Sequence, residues 1–95
     1  KNPERPGWEK LPSYRFYTRE EQVYAKHFFL ARDGIARCHN LPAARILDKH
    51  SLMSLIRDVP ANEMAFRSRI RCSDELLEAL LRAKEDARHE LVERG

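Results

Sequence analysis

The sequence predicts an all-α protein: a small bundle of four to five helices around a long first helix, preceded by an extended N-terminal linker. Three observations carry that expectation. Between residues 18 and 40, Tyr24, Phe28, Ala31, Ile35 and Cys38 recur at alternating steps of four and three, which draws one apolar stripe down a 3.6-residue helix. Between residues 76 and 91 a second stripe follows with Leu76, Leu77, Leu80, Leu81, Ala83, Ala87 and Leu91. No run alternates in the strand manner, and 95 residues bound the chain to one modest core.

Residues 1–17 read as the linker and residues 18–95 as the domain. The first twelve positions hold three of the five prolines, and each proline removes an N–H donor and disfavours helix before it. Trp8 is expected to dock on the domain and tie the linker down. Tyr14, Phe16 and Tyr17 alternate with Lys10, Arg15 and Arg19. That mixture suits a base-stacking platform, and equally a set of staples onto the first helix. The chain opens on Lys1 without a Met, which predicts a piece of a longer protein.

Thr18 with Glu21 three residues on is a capping box, so the first helix starts there, with Val23 and Leu30 widening its stripe. Asn40 and Pro42 end it. Residues 42–47 form at most one turn, with Ile46 and Leu47 turned inward. Asp48 caps the next helix, whose apolar face is Leu52, Leu55 and Ile56, with Met53 on its flank; Pro60 stops it. Residues 61–71 form a third piece with Asn62 as cap, Phe66 and Ile70 inward and Met64 beside them. Arg67 and Arg71, four apart, are expected to share one face, with Arg69 turned away. Ser73 caps the last helix, where Asp74 and Glu75 suit the positive end of the dipole. Glu78 with Arg82, and Glu90 with Arg94, have ion-pair spacing, and the helix is expected to fray past Ala87.

The net charge of +3 is unevenly placed: residues 1–73 hold 14 Lys/Arg against 8 Asp/Glu, whereas residues 74–95 hold 4 against 7. A basic body thus precedes an acidic last helix, and the body would face an anionic partner. Cys38 and Cys72 have no paired spacing, and adjacent Cys38 and His39 would leave the helix on different faces. They are expected to be a buried thiol and a surface imidazole, with no metal site and no cofactor in this chain. Free thiols, the lack of a signal peptide and the lack of a spanning apolar run make the cytoplasm the expected location, with no membrane partner. No Gly-rich phosphate loop, nucleophile elbow or gathered set of carboxylates appears, so the chain is expected to bind rather than catalyse.

Residues 30–60, LARDGIARCHNLPAARILDKHSLMSLIRDVP, resemble the HRDC domain, the helicase and ribonuclease D C-terminal domain. Arg32 and Ala36 stand on the first helix, Pro42 follows, and Ile46, Leu47 and Asp48 open a Leu-rich helix ending at Pro60. The phrase ARDGIAR and the lead-in RPGWEKLPSY are similar to the ribonuclease D branch. The resemblance implies a parent that is a metal-dependent 3′–5′ exoribonuclease acting on RNA ends, including transfer RNA precursors. Its catalytic carboxylates and divalent metal would lie in a domain outside this sequence. This piece would be its non-catalytic, substrate-positioning domain, holding RNA or single-stranded nucleic acid weakly and with strong salt dependence. The expected contacts are Arg67, Arg69, Arg71 and Arg57, then Lys26, Arg37 and Lys49. Two alternatives stand beside it. One is a protein-docking module, on its own exonuclease domain or another partner, through an exposed patch of Trp8, Phe29 and Tyr17. The other is a single-stranded-DNA-binding appendage of a RecQ-type helicase.

Overall fold

The computed structural model describes residues 14–94, so Trp8, Lys10 and the rest of the expected linker lie outside the described residues, as does the Arg94 side chain. A 3-10 turn at Tyr14–Phe16 leads into α1 (Arg19–His39), followed by α2 (Ala43–Ile46), α3 (Lys49–Arg57), α4 (Glu63–Arg69) and α5 (Asp74–Arg94). The all-α bundle around a long first helix is what forms, with no strand among the described residues.

The starts of α1, α3, α4 and α5 are each signalled by a side chain that accepts from an otherwise orphaned N–H, whereas α2 starts after Pro42 with no side-chain cap. Thr18 and Glu21 make the full capping box at 2.9 and 3.1 Å. Asp48 accepts from the Ser51 N–H, Asn62 from Ala65 and Ser73 from Leu76. Asn40 ends α1 in the left-handed region at φ 56°, ψ 45°, its N–H turned back to the Ala36 and Arg37 carbonyls. Asparagine tolerates that conformation better than other residues with a side chain, and Pro42 two residues on forbids continuation.

Helix α1 is the organising element and packs against α2, α3 and α5, while α4 lies on α5. Its buried face is Tyr24, Ala25, Phe28, Arg32, Ile35 and Ala36. That face is rotated from the expected stripe: Ala31 is only partly buried, and Leu30 and Cys38 are exposed. The reason is that neighbours reach α1 from several sides, so burial is set by where they sit rather than by apolar spacing alone. Phe28 lies at the centre, fully buried, with the Tyr24 ring at 5.8 Å and the Phe66 ring edge-on at 6.3 Å. Leu52, Leu55, Ile56, Leu76 and Leu80 complete the driest part, each contributing about 1.5–3 kcal/mol by burial. Met64, expected near the core, is 79% exposed because the seven-residue α4 presents only Phe66 inward.

The end of the lead-in staples onto α1. Tyr17 is buried, Tyr14 packs edge-on against it at 6.2 Å, and Gln22 donates to the Tyr14 and Tyr17 carbonyls. Of the three aromatics only Phe16 stays exposed, with the Arg15 guanidinium 5.5 Å from its ring centre. The last helix does not end at Ala87. It continues to Arg94, and Glu90 reaches across to Lys26 and His27 of α1 at 3.0 and 2.8 Å. Glu78 and Arg82, at ion-pair spacing, form no ion pair. No helix among the described residues is long and apolar enough to cross a membrane.

Candidate nucleic-acid interface

The seven expected contact residues lie on α1, α3, α4 and the segment after α4. Four of them are committed elsewhere. Arg67 pairs with Glu63 at 3.3 Å and Asp74 at 2.8 Å, which hold its guanidinium above the ordinary arginine value. Lys26 is bound to Glu90, and Arg37 to Asp33 at 3.4 Å. Arg69 donates to the Ser54 and Asp58 carbonyls at 2.9 and 2.6 Å and to the Ser54 hydroxyl at 2.6 Å. It thereby caps the Asp58 carbonyl just past α3, adds a second donor to the Ser54 carbonyl that already accepts the Asp58 N–H, and ties α4 to that helix end.

Arg57, Lys49 and Arg71 are exposed and make no ion pair with any described residue. Arg57 borders a groove of about 370 Å³ whose other polar sides are Glu20, Glu21 and Asp58, a poor seat for an anion. Arg71 is different. Residues 61–71 were expected as one helix in which Arg67 and Arg71 share a face, but α4 ends at Arg69 and Ile70 is extended. The helix stops there and Ile70 enters the core, so Arg71 follows outside α4 and helical spacing no longer relates it to Arg67.

Arg71 meets Arg45, a residue the contact set above omits. Both line a groove of about 550 Å³, and both also line an adjoining groove of about 360 Å³. Ile35 and Leu76 are buried at the base of the larger groove, Ile46 is half-buried, and Leu41 is exposed at its side. Its acidic neighbour Glu75 is engaged by His39 at 2.7 Å. In the smaller groove Asp48 is engaged by the Ser51 hydroxyl at 2.7 Å, which holds its carboxyl below the ordinary value. Two unpaired guanidiniums thus stand over an apolar base, with nearby carboxylates already occupied. Such an arrangement can hold phosphate oxygens with one end and an apolar or aromatic ring with the other. Arg45 was legible in part: if Ile46 and Leu47 turn inward on a single turn, Arg45 must turn outward.

Two further expectations change. Tyr17 is buried and Phe29 is half-buried with the Arg32 guanidinium 4.9 Å from its ring centre, while Trp8 lies outside the described residues. The exposed large apolar residues Phe16, Leu30, Leu41, Met64 and Val92 instead sit on five different segments. Cys38 is exposed and not a buried thiol, because the buried face of that turn is taken by Ile35 and Ala36. The Cys38 sulfur, a His39 ring nitrogen and a Glu75 carboxylate oxygen all lie within 4.8 Å of one another, since α5 begins beside that turn. Neighbours in sequence need not diverge when a third group comes up between them.

The Arg32, Leu47 and Asp48 positions that carry the HRDC resemblance meet at one joint. Arg32 donates to the Leu47 carbonyl at 3.0 Å, just before the Asp48 cap. Compared with known proteins, the chain matches no family model, no curated protein and no solved structure.

Proposed function

We propose that this chain is an HRDC-like, non-catalytic domain that holds single-stranded RNA for a ribonuclease D-like 3′–5′ exoribonuclease, as in trimming transfer RNA 3′ ends. The observation that carries the binding reading is the pair Arg45 and Arg71, unpaired among the described residues, on the divide between two adjoining grooves. The exonuclease parent rests on the residues 30–60 resemblance. A backbone phosphate would bridge the two guanidiniums, and a base would lie on Ile35, Ile46 and Leu76. No sequence reading is built into such a contact, so affinity is low and steeply salt-dependent.

The test is a titration of the domain with labelled single-stranded RNA at low and moderate salt. Arg45→Ala with Arg71→Ala should remove two phosphate contacts and flatten the log–log salt slope by about 1.4. Lys26→Ala and Arg67→Ala, whose charges are already matched, should leave that slope near wild type. No binding at millimolar protein, or binding indifferent to salt, sinks the proposal.

A further inference from the structure

A metal-ligating cluster stands at the junction of α1 and α5. Cys38 and His39 occupy the last turn of α1 and Glu75 the first turn of α5, all three exposed, with one ligand atom from each inside a 4.8 Å envelope. We propose that Cys38, His39 and Glu75 bind a divalent zinc ion that staples the C-terminal end of α1 to the N-terminal end of α5. The inference does not rest on RNA binding, although His39 and Glu75 line the same groove as Arg45 and Arg71.

The donor set selects the ion. A thiolate excludes magnesium and calcium, which take oxygen ligands, whereas one sulfur, one imidazole nitrogen and one carboxylate oxygen suit zinc. Three protein ligands leave a fourth position of the tetrahedron for water. Thiolate and carboxylate together balance the dication, so the loaded site is neutral despite Arg45 and Arg71 nearby.

Geometry allows it with small movements. Zinc bonds of about 2.0–2.3 Å place tetrahedral ligands about 3.3–3.7 Å apart. His39 Nε2 and Glu75 Oε1 lie 2.7 Å apart and would open by about 0.6–1.0 Å to admit the ion between them. The side chains must move, but their anchors need not. Asn40 clamps the end of α1 through Ala36 and Arg37, the Leu41 N–H returns to the Ala36 carbonyl, and Ser73 caps α5.

The test uses the chain under anaerobic, reducing conditions with Co²⁺ as a spectroscopic stand-in. One equivalent should produce a thiolate-to-cobalt charge-transfer band in the near ultraviolet, which Zn²⁺ abolishes and Cys38→Ser removes. His39→Ala and Glu75→Gln should each weaken Zn²⁺ binding at least about tenfold, since even outer-shell changes cost about 10–100-fold. Cys72→Ser should leave the band intact. Helical circular dichroism of each variant checks the fold, and the exposure of all three ligands predicts that it survives. Absence of the band in the wild type, its survival in Cys38→Ser, its loss in Cys72→Ser, or unchanged affinity in both His39→Ala and Glu75→Gln overturns the proposal. Each is read without RNA, so its outcome is distinct from that of the RNA titration.

Discussion

Arg32 carries a charge into the interior at 8% exposure, and its surroundings show why a cation is tolerated there. The guanidinium caps the Leu47 carbonyl at 3.0 Å and covers the Phe29 ring, while its stem packs among core residues. Burial pushes its pKa down, with Asp33 and Asp48 pulling it back up, and an arginine remains protonated regardless. Arg32→Ala should strand the Leu47 carbonyl and cost about 2–3 kcal/mol in urea unfolding. A loss below about 0.5 kcal/mol would mean the contact is idle. Asn40 is the other position where one atom type decides. With φ at 56°, Asn40→Ala should cost about 1 kcal/mol in thermal melts and Asn40→Gly little or nothing.

Between elements, polar side chains do much of the positioning. Arg69 ties α4 to the end of α3, and Lys84 of α5 donates to the Pro60 and Ala61 carbonyls at 2.9 and 2.7 Å. Arg69→Ala should therefore destabilise the domain by about 1–2 kcal/mol while changing RNA affinity less than Arg71→Ala does. Glu90 joins the far end of α5 to α1. Hydrogen bonds from His27, then Lys26, hold its carboxyl below the ordinary value. A depressed carboxylate contributes stability that is present above its unfolded value, near 4.3, and lost as pH falls through the folded one. Glu90→Gln should thus lower stability by about 0.5–1 kcal/mol at neutral pH, with the difference from wild type closing in acid. Paired urea titrations at pH 7 and pH 3 read it; a gap unchanged between them would deny the ion pairs any role.

Across the whole molecule, the basic excess of the first three-quarters of the chain does not become one basic face. Glu63 lies four residues before Arg67, and Asp33 four before Arg37, so those two pairings were present in the sequence as helical spacing. The others were not. Lys26 meets Glu90 across 64 residues, and Arg69 meets the Ser54 and Asp58 carbonyls 15 and 11 residues away at the end of α3. Of the cations without an ion pair among the described residues, Arg45 and Arg71 line the same two grooves, Arg71 standing just past the break at Ile70.

The sequence by itself determined the helices, their caps and most core members, because caps and apolar periodicity act over three or four residues. Thr18, Asp48, Asn62 and Ser73 each announce a helix within a single turn. Only the tertiary structure decided which face of α1 is buried, which charges are neutralised, and that Cys38, His39 and Glu75 share one corner. Those outcomes depend on how distant segments meet, and local spacing carries no record of distances set by packing.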